Sequence, residues 1–201
     1  MKKIMFNDKY GLTDAVLNGK KTMTRRNIPV SVFNRIDFKT FCDGDEKCAL
    51  INPADDIWGN WRLIAPYKVG EVVAISQSYK DIADDFFFAE QCAANEESVI
   101  GKKYEKGWGN KMYVSSYYMP HRIKITDVKL QLLNNITEEE TYKEGIYYYN
   151  CGFDSGFTYN GTNERFGTGI KAFESLIDKV SGKGTWEKNP WVFAYSFELV
   201  K

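Results

Sequence analysis

The sequence predicts an α+β domain, mainly β: a small mixed barrel with two to four short helices set between its strands. Three observations carry this expectation. Residues 191–200, WVFAYSFELV, alternate Trp191, Phe193, Tyr195, Phe197 and Leu199 against smaller or polar neighbours, the period-two pattern of a half-buried strand. Residues 121–133, HRIKITDVKLQLL, change phase, with Ile123 and Ile125 at odd positions and Val128, Leu130 and Leu132 at even ones. A bulge near Thr126-Asp127 reconciles the halves and bends the strand as a closing barrel needs. Between the strand patterns lie helical segments with recognisable ends.

Taken in order, KKIMF reads as a first strand, and LTDAVLNGKK as a helix capped by Thr13 and ended at Gly19. KTMTRRNIPV alternates like a strand and stops at Pro29. Residues 31–66 have no period and read as an irregular insertion. A turn at Lys68 to Glu71 precedes the β-branched VVAI, and 80–110 form an acidic, then Gly/Lys-rich excursion with a short helix. From Lys111 the chain is expected to be β again. NITEEETYKEGI begins a helix with Thr137 as cap and Glu140 as its capping-box partner, ending at Gly145. Residues 147–170 read as a third loop insertion from their Gly, Asn and Tyr content. KAFESLIDKVSGKG is an amphipathic helix with Phe173, Leu176, Ile177 and Val180 on one face.

The 201 residues suit one domain, 1–201, and 43% hydrophobic with 27% charged residues exclude wholesale disorder. Lys plus Arg and Asp plus Glu balance at 27 each, so net charge does not advertise nucleic acid. The distribution does differ: residues 1–40 hold nine basic side chains against three Asp, which predicts a basic face at one end. Cys42, Cys48, Cys92 and Cys151 include no C-x-x-C pair, and His121 is the single histidine, read as structural. No metal and no cofactor are expected. No apolar run reaches the length of a membrane span, and the expected location is the cytoplasm.

The octet Gly19-Lys20-Lys21-Thr22-Met23-Thr24-Arg25-Arg26 spans a helix end and a strand start. Taken with PYKVGEVVAI, MPHRIKITDVKL, NITEEETYKEGI and GTWEKNPWVFAYSFEL in that order, it resembles the ASCH family in its longer bacterial and phage-borne form. The resemblance implies a PUA-like fold with a cleft beside the octet, and leaves the insertions at 31–66, 80–110 and 147–170 outside it. Small ASCH proteins include amidohydrolases that deacylate N4-acetylcytidine with a Lys, a Thr and a Glu, which by motif position are Lys21, Thr24 and Glu144. Other members are binding modules for RNA or DNA.

The chemistry suits those residue types. A threonine hydroxyl becomes a nucleophile when a base takes its proton, and a lysine is that base only when largely neutral. Three positions separate Lys21 from Thr24, opposite faces of a regular strand, so they converge only where the chain is still turning. Lys20, Arg25 and Arg26 are the expected ligand-binding cations. For the two arginines, contact with phosphate or carboxylate competes evenly with surface pairing. Trp186 and Trp191 read as core, and Tyr147 to Tyr149, Phe153, Phe157 and Tyr159 as either a base-stacking lid or the cover of a barrel edge. Three functions stay open: recognition of RNA, a nucleotide or a modified cytosine base; amidohydrolysis of N4-acylated cytosine nucleosides; and a phage-related interaction role with no cleft activity.

Overall fold

The computed structural model describes residues 1–28, 65–83 and 106–200, so the expected insertions at 31–66 and 80–110, with Cys42, Cys48 and Cys92, lie largely outside the described residues. Within them the strands are β1 (Lys3–Ile4), β2 (Met23–Asn27), β3 (Val72–Ile75), β4 (Arg122–Leu132), β5 (Tyr147–Cys151), β6 (Asp154–Thr158) and β7 (Trp191–Val200). The helices are α1 (Leu12–Leu17), α2 (Tyr79–Ala83), α3 (Glu138–Lys143), α4 (Gly169–Ser181) and α5 (Thr185–Lys188). Among the described residues that is five α-helices where two to four were expected; the one not anticipated is the four-residue α5.

The long β4–β7 ladder is the spine of a five-stranded sheet of order β1-β3-β4-β7-β2. β1 runs parallel to β3 and every other pair is antiparallel, so the class is α+β with a mixed, sheet-rich core. The predicted bulge is present: Ile125 pairs with Phe197 but Asp127 with Ser196, leaving Thr126 as the extra residue. It turns Ile123 and Ile125, then Val128 and Leu130, into one core, where all four are buried. Phe173, Leu176 and Ile177 of α4 join the same apolar cluster, as the helix's periodicity requires. Each such buried side chain contributes roughly 1.5–3 kcal/mol.

The sheet does not close into the expected barrel, because β1 and β2 are edges with no ladder between them among the described residues. Side chains span the gap instead. Arg26 of β2 donates to the carbonyl of Met5, just beyond β1, and the Tyr67 hydroxyl donates to the Lys3 carbonyl at 3.0 Å. Phe6 meets Phe197 at 5.8 Å between ring centres, and Tyr67 meets Tyr195 at 5.3 Å. The result is a curled sheet with a seam.

Three local expectations need correction. Thr13 does not cap α1: Asp8–Tyr10 form a 3-10 turn closed by Gly11 at φ 59°, α1 starts at Leu12, and the Thr13 hydroxyl donates to Asp8 instead. The chain from Lys111 is not strand until Arg122, because the Asn110 and Ser115 side chains accept from Met112 and Tyr117 and nucleate short 3-10 turns. Residues 147–170 are not a loop throughout, since β5 and β6 form a hairpin turned at Gly152. Tyrosine's fit to a pleated surface outweighed the glycines there. Gly156 lies opposite Tyr149, and a Cβ on it would come within 3.0 Å of Arg165 Cβ; its absence lets the Arg165 guanidinium stack 4.2 Å from the Tyr149 ring. Tyr159 is wholly buried, whereas Tyr147 to Tyr149 and Phe153 are exposed.

α3 carries its predicted capping box, with Thr137 and Glu140 each accepting from the other's backbone N–H. Its contact with α4 is close: a Cβ on Gly169 would collide with Thr141 Oγ1 and Glu138 Oε2. Gly169→Ala should therefore lower stability by about 1–3 kcal/mol, although helix propensity alone favours alanine by about 1 kcal/mol. Urea denaturation of the two proteins measures the sign.

Candidate functional site

A cleft of about 180 Å³ opens along the seam. Met5, Phe6 and Asn7 line it from the β1 side, Lys21 and Thr24 to Asn27 from the β2 side, and Phe173, Leu176 and Ile177 of α4 cover it. Antiparallel register assigns the faces of β2. Thr24 pairs with Tyr195 and Arg26 with Phe193, so their side chains share the sheet's core face. Met23 and Arg25 point to the opposite face, toward α3 and α4. Because β2 is an edge strand, both faces border the cleft.

Lys21 sits just before β2, where the chain leaves α1. Gly19 adopts φ 68°, the N–H groups of Lys20 and Lys21 both donate to the Ala15 carbonyl, and Thr22 N–H donates to the Lys143 carbonyl at 2.9 Å. The last bond ties the start of β2 to the end of α3. It carries Lys21 to Glu144, which closes α3, and there the Lys21 ammonium donates to Glu144 Oε2 at 2.5 Å and to the Glu144 carbonyl at 2.8 Å. Both side chains are buried, at 2% and 4% exposure. Burial pushes the Lys21 pKa down, Glu144 pushes it back up, and the nearby Arg26 and Arg25 lower it further; the net direction is downward.

Arg25 occupies the middle of the network. Its Nη1 donates to Glu144 Oε1 at 2.8 Å and to Met23 Sδ at 3.4 Å, and its Nη2 donates to Glu140 Oε2 at 2.5 Å. With the Gln131 amide assigned so that its oxygen faces Arg25, that oxygen accepts from Nη2 at 2.8 Å and Nε at 3.3 Å. All five donors of the guanidinium then have protein partners. Arg25 therefore does not offer itself as a ligand anchor; its charge is committed to two carboxylates. Lys20 is exposed and lies outside the cleft lining. Arg26 lies over the Phe6 ring at 5.6 Å, lines the cleft, and among the described residues its guanidinium donates to the Met5 carbonyl.

The cleft thus gathers Lys21, Thr24, Glu144 and Arg26. The Thr24 hydroxyl makes no hydrogen bond among the described residues, and two protein acceptors leave one position of the Lys21 nitrogen for a ligand or a proton. Sequence reasoning missed Glu140 as a site residue, reading it only as a helix cap. Its i,i+4 spacing from Glu144 was the available signal, since it puts both acids on one helix face. Nothing in the sequence pointed to Gln131. Among the described residues no cluster of three or more His, Cys, Asp or Glu side chains is arranged to hold a metal, and no helix is long and apolar enough to cross a membrane.

Comparison with family models, curated proteins and solved structures found no match.

Removing Glu144 takes the carboxylate from buried Lys21 and one of the two from Arg25, which keeps Glu140, whereas removing Lys21 leaves Glu144 paired with Arg25. Glu144→Leu should cost about 3–5 kcal/mol, and Lys21→Met distinctly less, in urea denaturation. The pH dependence has a defined sign. The unfolded chain holds the Lys21 proton up to pH 10.5 while the folded protein releases it earlier. Between those two values the unfolded state binds more protons, so this group's contribution to stability rises with pH, and its burial cost is complete below the folded pKa. Lys21→Met should remove that rise from the stability profile.

Proposed function

We propose that this chain is an amidohydrolase of small N-acylated amino heterocycles, with N4-acetylcytidine-like nucleosides as the substrate class, built on a PUA-like domain of the ASCH type. The single observation behind the reading is one small cleft lined both by Lys21, which Glu144 holds at 2.5 Å, and by Thr24, whose hydroxyl makes no hydrogen bond among the described residues. At about 180 Å³ the cleft is smaller than the ~300–1,000 Å³ of drug-sized sites. It suits one planar head group. With Arg25 committed and Lys20 outside, Arg26 is, among the described residues, the cleft cation with donors to spare, which favours a polarised carbonyl over a run of phosphates.

The steps balance with these residues alone. Neutral Lys21 takes the Thr24 proton as the oxygen attacks the acyl carbon, and Arg26 donors face the oxygen that becomes negative. The C–N bond then breaks, and the Lys21 ammonium returns its proton to the leaving amine. Water then gives a proton to Lys21 as its oxygen attacks the acyl carbon, the bond from that carbon to Thr24 Oγ1 breaks, and the Lys21 ammonium returns the proton to Oγ1 as the carboxylic acid leaves. Glu144 remains ionised throughout and stabilises the ammonium whenever it forms.

A second reading has its own support. Glu144 at 2.5 Å favours the charged lysine, and a charged Lys21 is a hydrogen-bond donor suited to recognising a cytosine base or RNA without turnover. A chromatographic assay of N4-acetylcytidine separates them. Hydrolysis should produce cytidine and acetate with wild-type protein and fall ~10²–10⁴-fold in Lys21→Ala, with Thr24→Ala inactive. No turnover by wild type, together with RNA affinity that weakens steeply with added salt, would favour recognition.

A further inference from the structure

Lys21 and Arg25 are four residues apart, and both side chains reach Glu144 at the end of α3. They grip opposite oxygens of one carboxylate: Lys21 Nζ takes Glu144 Oε2 at 2.5 Å and Arg25 Nη1 takes Oε1 at 2.8 Å. The Arg25 side chain is 1% exposed and sits 5.8 Å from the Phe173 ring, and its remaining donors are pinned by Glu140 and Gln131. A planar fork held at both ends cannot swing to follow a ligand.

We propose that Arg25 is a positioning residue for the Lys21 base: it holds Glu144 by the far oxygen, fixes the carboxylate against rotation, and divides its charge between two cations. This rests on the hydrolytic reading above. Were Glu144 given to Lys21 alone, a full carboxylate at hydrogen-bond distance would keep the lysine protonated and unable to accept the Thr24 proton. Sharing with Arg25 weakens that hold, and Glu140 sets its extent by drawing Arg25 the other way. The charged groups facing Lys21 are Glu144 from α3 and Arg25 and Arg26 from β2. Phe173 and Leu176 from α4 and Leu12 from α1 add apolar walls to the same cleft. Four of these charges, Lys21, Arg25, Glu140 and Glu144, cancel as a set, which makes the division between partners the variable that sets lysine basicity.

Titration of the Lys21 side chain by NMR in lysine-labelled protein tests this without substrate, the signal being assigned by its loss in Lys21→Met. In Arg25→Gln the midpoint should rise by about 1 pH unit or more, and Arg25→Lys should return it most of the way. Glu140→Gln, which keeps the capping box, should lower it, because Arg25 then serves Glu144 alone. If N4-acetylcytidine is turned over, the acid limb of kcat/KM should move with each midpoint while KM holds. A midpoint unmoved in both Arg25→Gln and Glu140→Gln overturns the proposal. Should Arg25→Gln not fold, Glu140→Gln decides: a lowered midpoint supports the proposal and an unmoved one overturns it. Absence of turnover in wild-type protein counts against the hydrolytic reading, while the titration still reports on Arg25.

Discussion

One carboxylate organises this molecule's site. Glu144 is 3% exposed and meets two cations, so its ionisation, its orientation and the register of α3 against β2 are a single constraint. A buried charge is tolerated only when its partners are in place. Both partners come from one short run of chain, Lys21 and Arg25, and the backbone bond from Thr22 to Lys143 holds that run in step with the helix end. The capping box at Thr137 and the tight contact between Gly169 and α3 then fix the other end of the same helix. Stability and chemistry draw on the same atoms here, which is why substitutions at Glu144 and at Lys21 are expected to have unequal structural costs.

The second constraint is the seam. A fully closed barrel would use the outer edges of β1 and β2 for ladder hydrogen bonds and leave no opening between them. Among the described residues the two edges do not pair; Arg26 of β2 crosses the seam to Met5 and the Phe6 ring, while Tyr67 ties β1 to β7 through Lys3 and Tyr195. A join made of side chains has gaps, and the cleft occupies one. The bulge at Thr126 belongs to the same account, because it curls the β4–β7 spine while keeping both halves of β4 facing one core.

Much of the architecture was legible from local pattern. The alternation of β7, the phase change in β4, the capping box of α3 and the apolar face of α4 all reappear, since each depends on near neighbours along the chain. Composition misled where it stood in for geometry. The Gly, Asn and Tyr content of 147–170 suggested loop, yet a turn at Gly152 lets a tyrosine hairpin form, and the missing Cβ of Gly156 leaves room for Arg165 and Phe166 against it. Thr13 has the chemistry of a cap, but the 3-10 turn before it moved the start of α1. The octet posed a different difficulty: charges read as solvated or ligand-facing are divided between burial and exposure, with Lys21 and Arg25 inside and Lys20 outside.

Local pattern along the chain carried the secondary-structure periods, the α+β class, and the presence of Lys21, Thr24 and Glu144 as residue types capable of acid–base work. Only the packed chain shows that β1 and β2 do not pair among the described residues, that Glu140 and Gln131 join the site, and that Arg25 is committed to carboxylates more than a hundred residues away in sequence, as the 115- and 119-residue separations of its ion pairs show. The physical reason is range. Periodicity and capping are fixed by neighbours within a few residues, whereas the worth of a charge depends on burial and on partners that only the packed chain brings within hydrogen-bond distance.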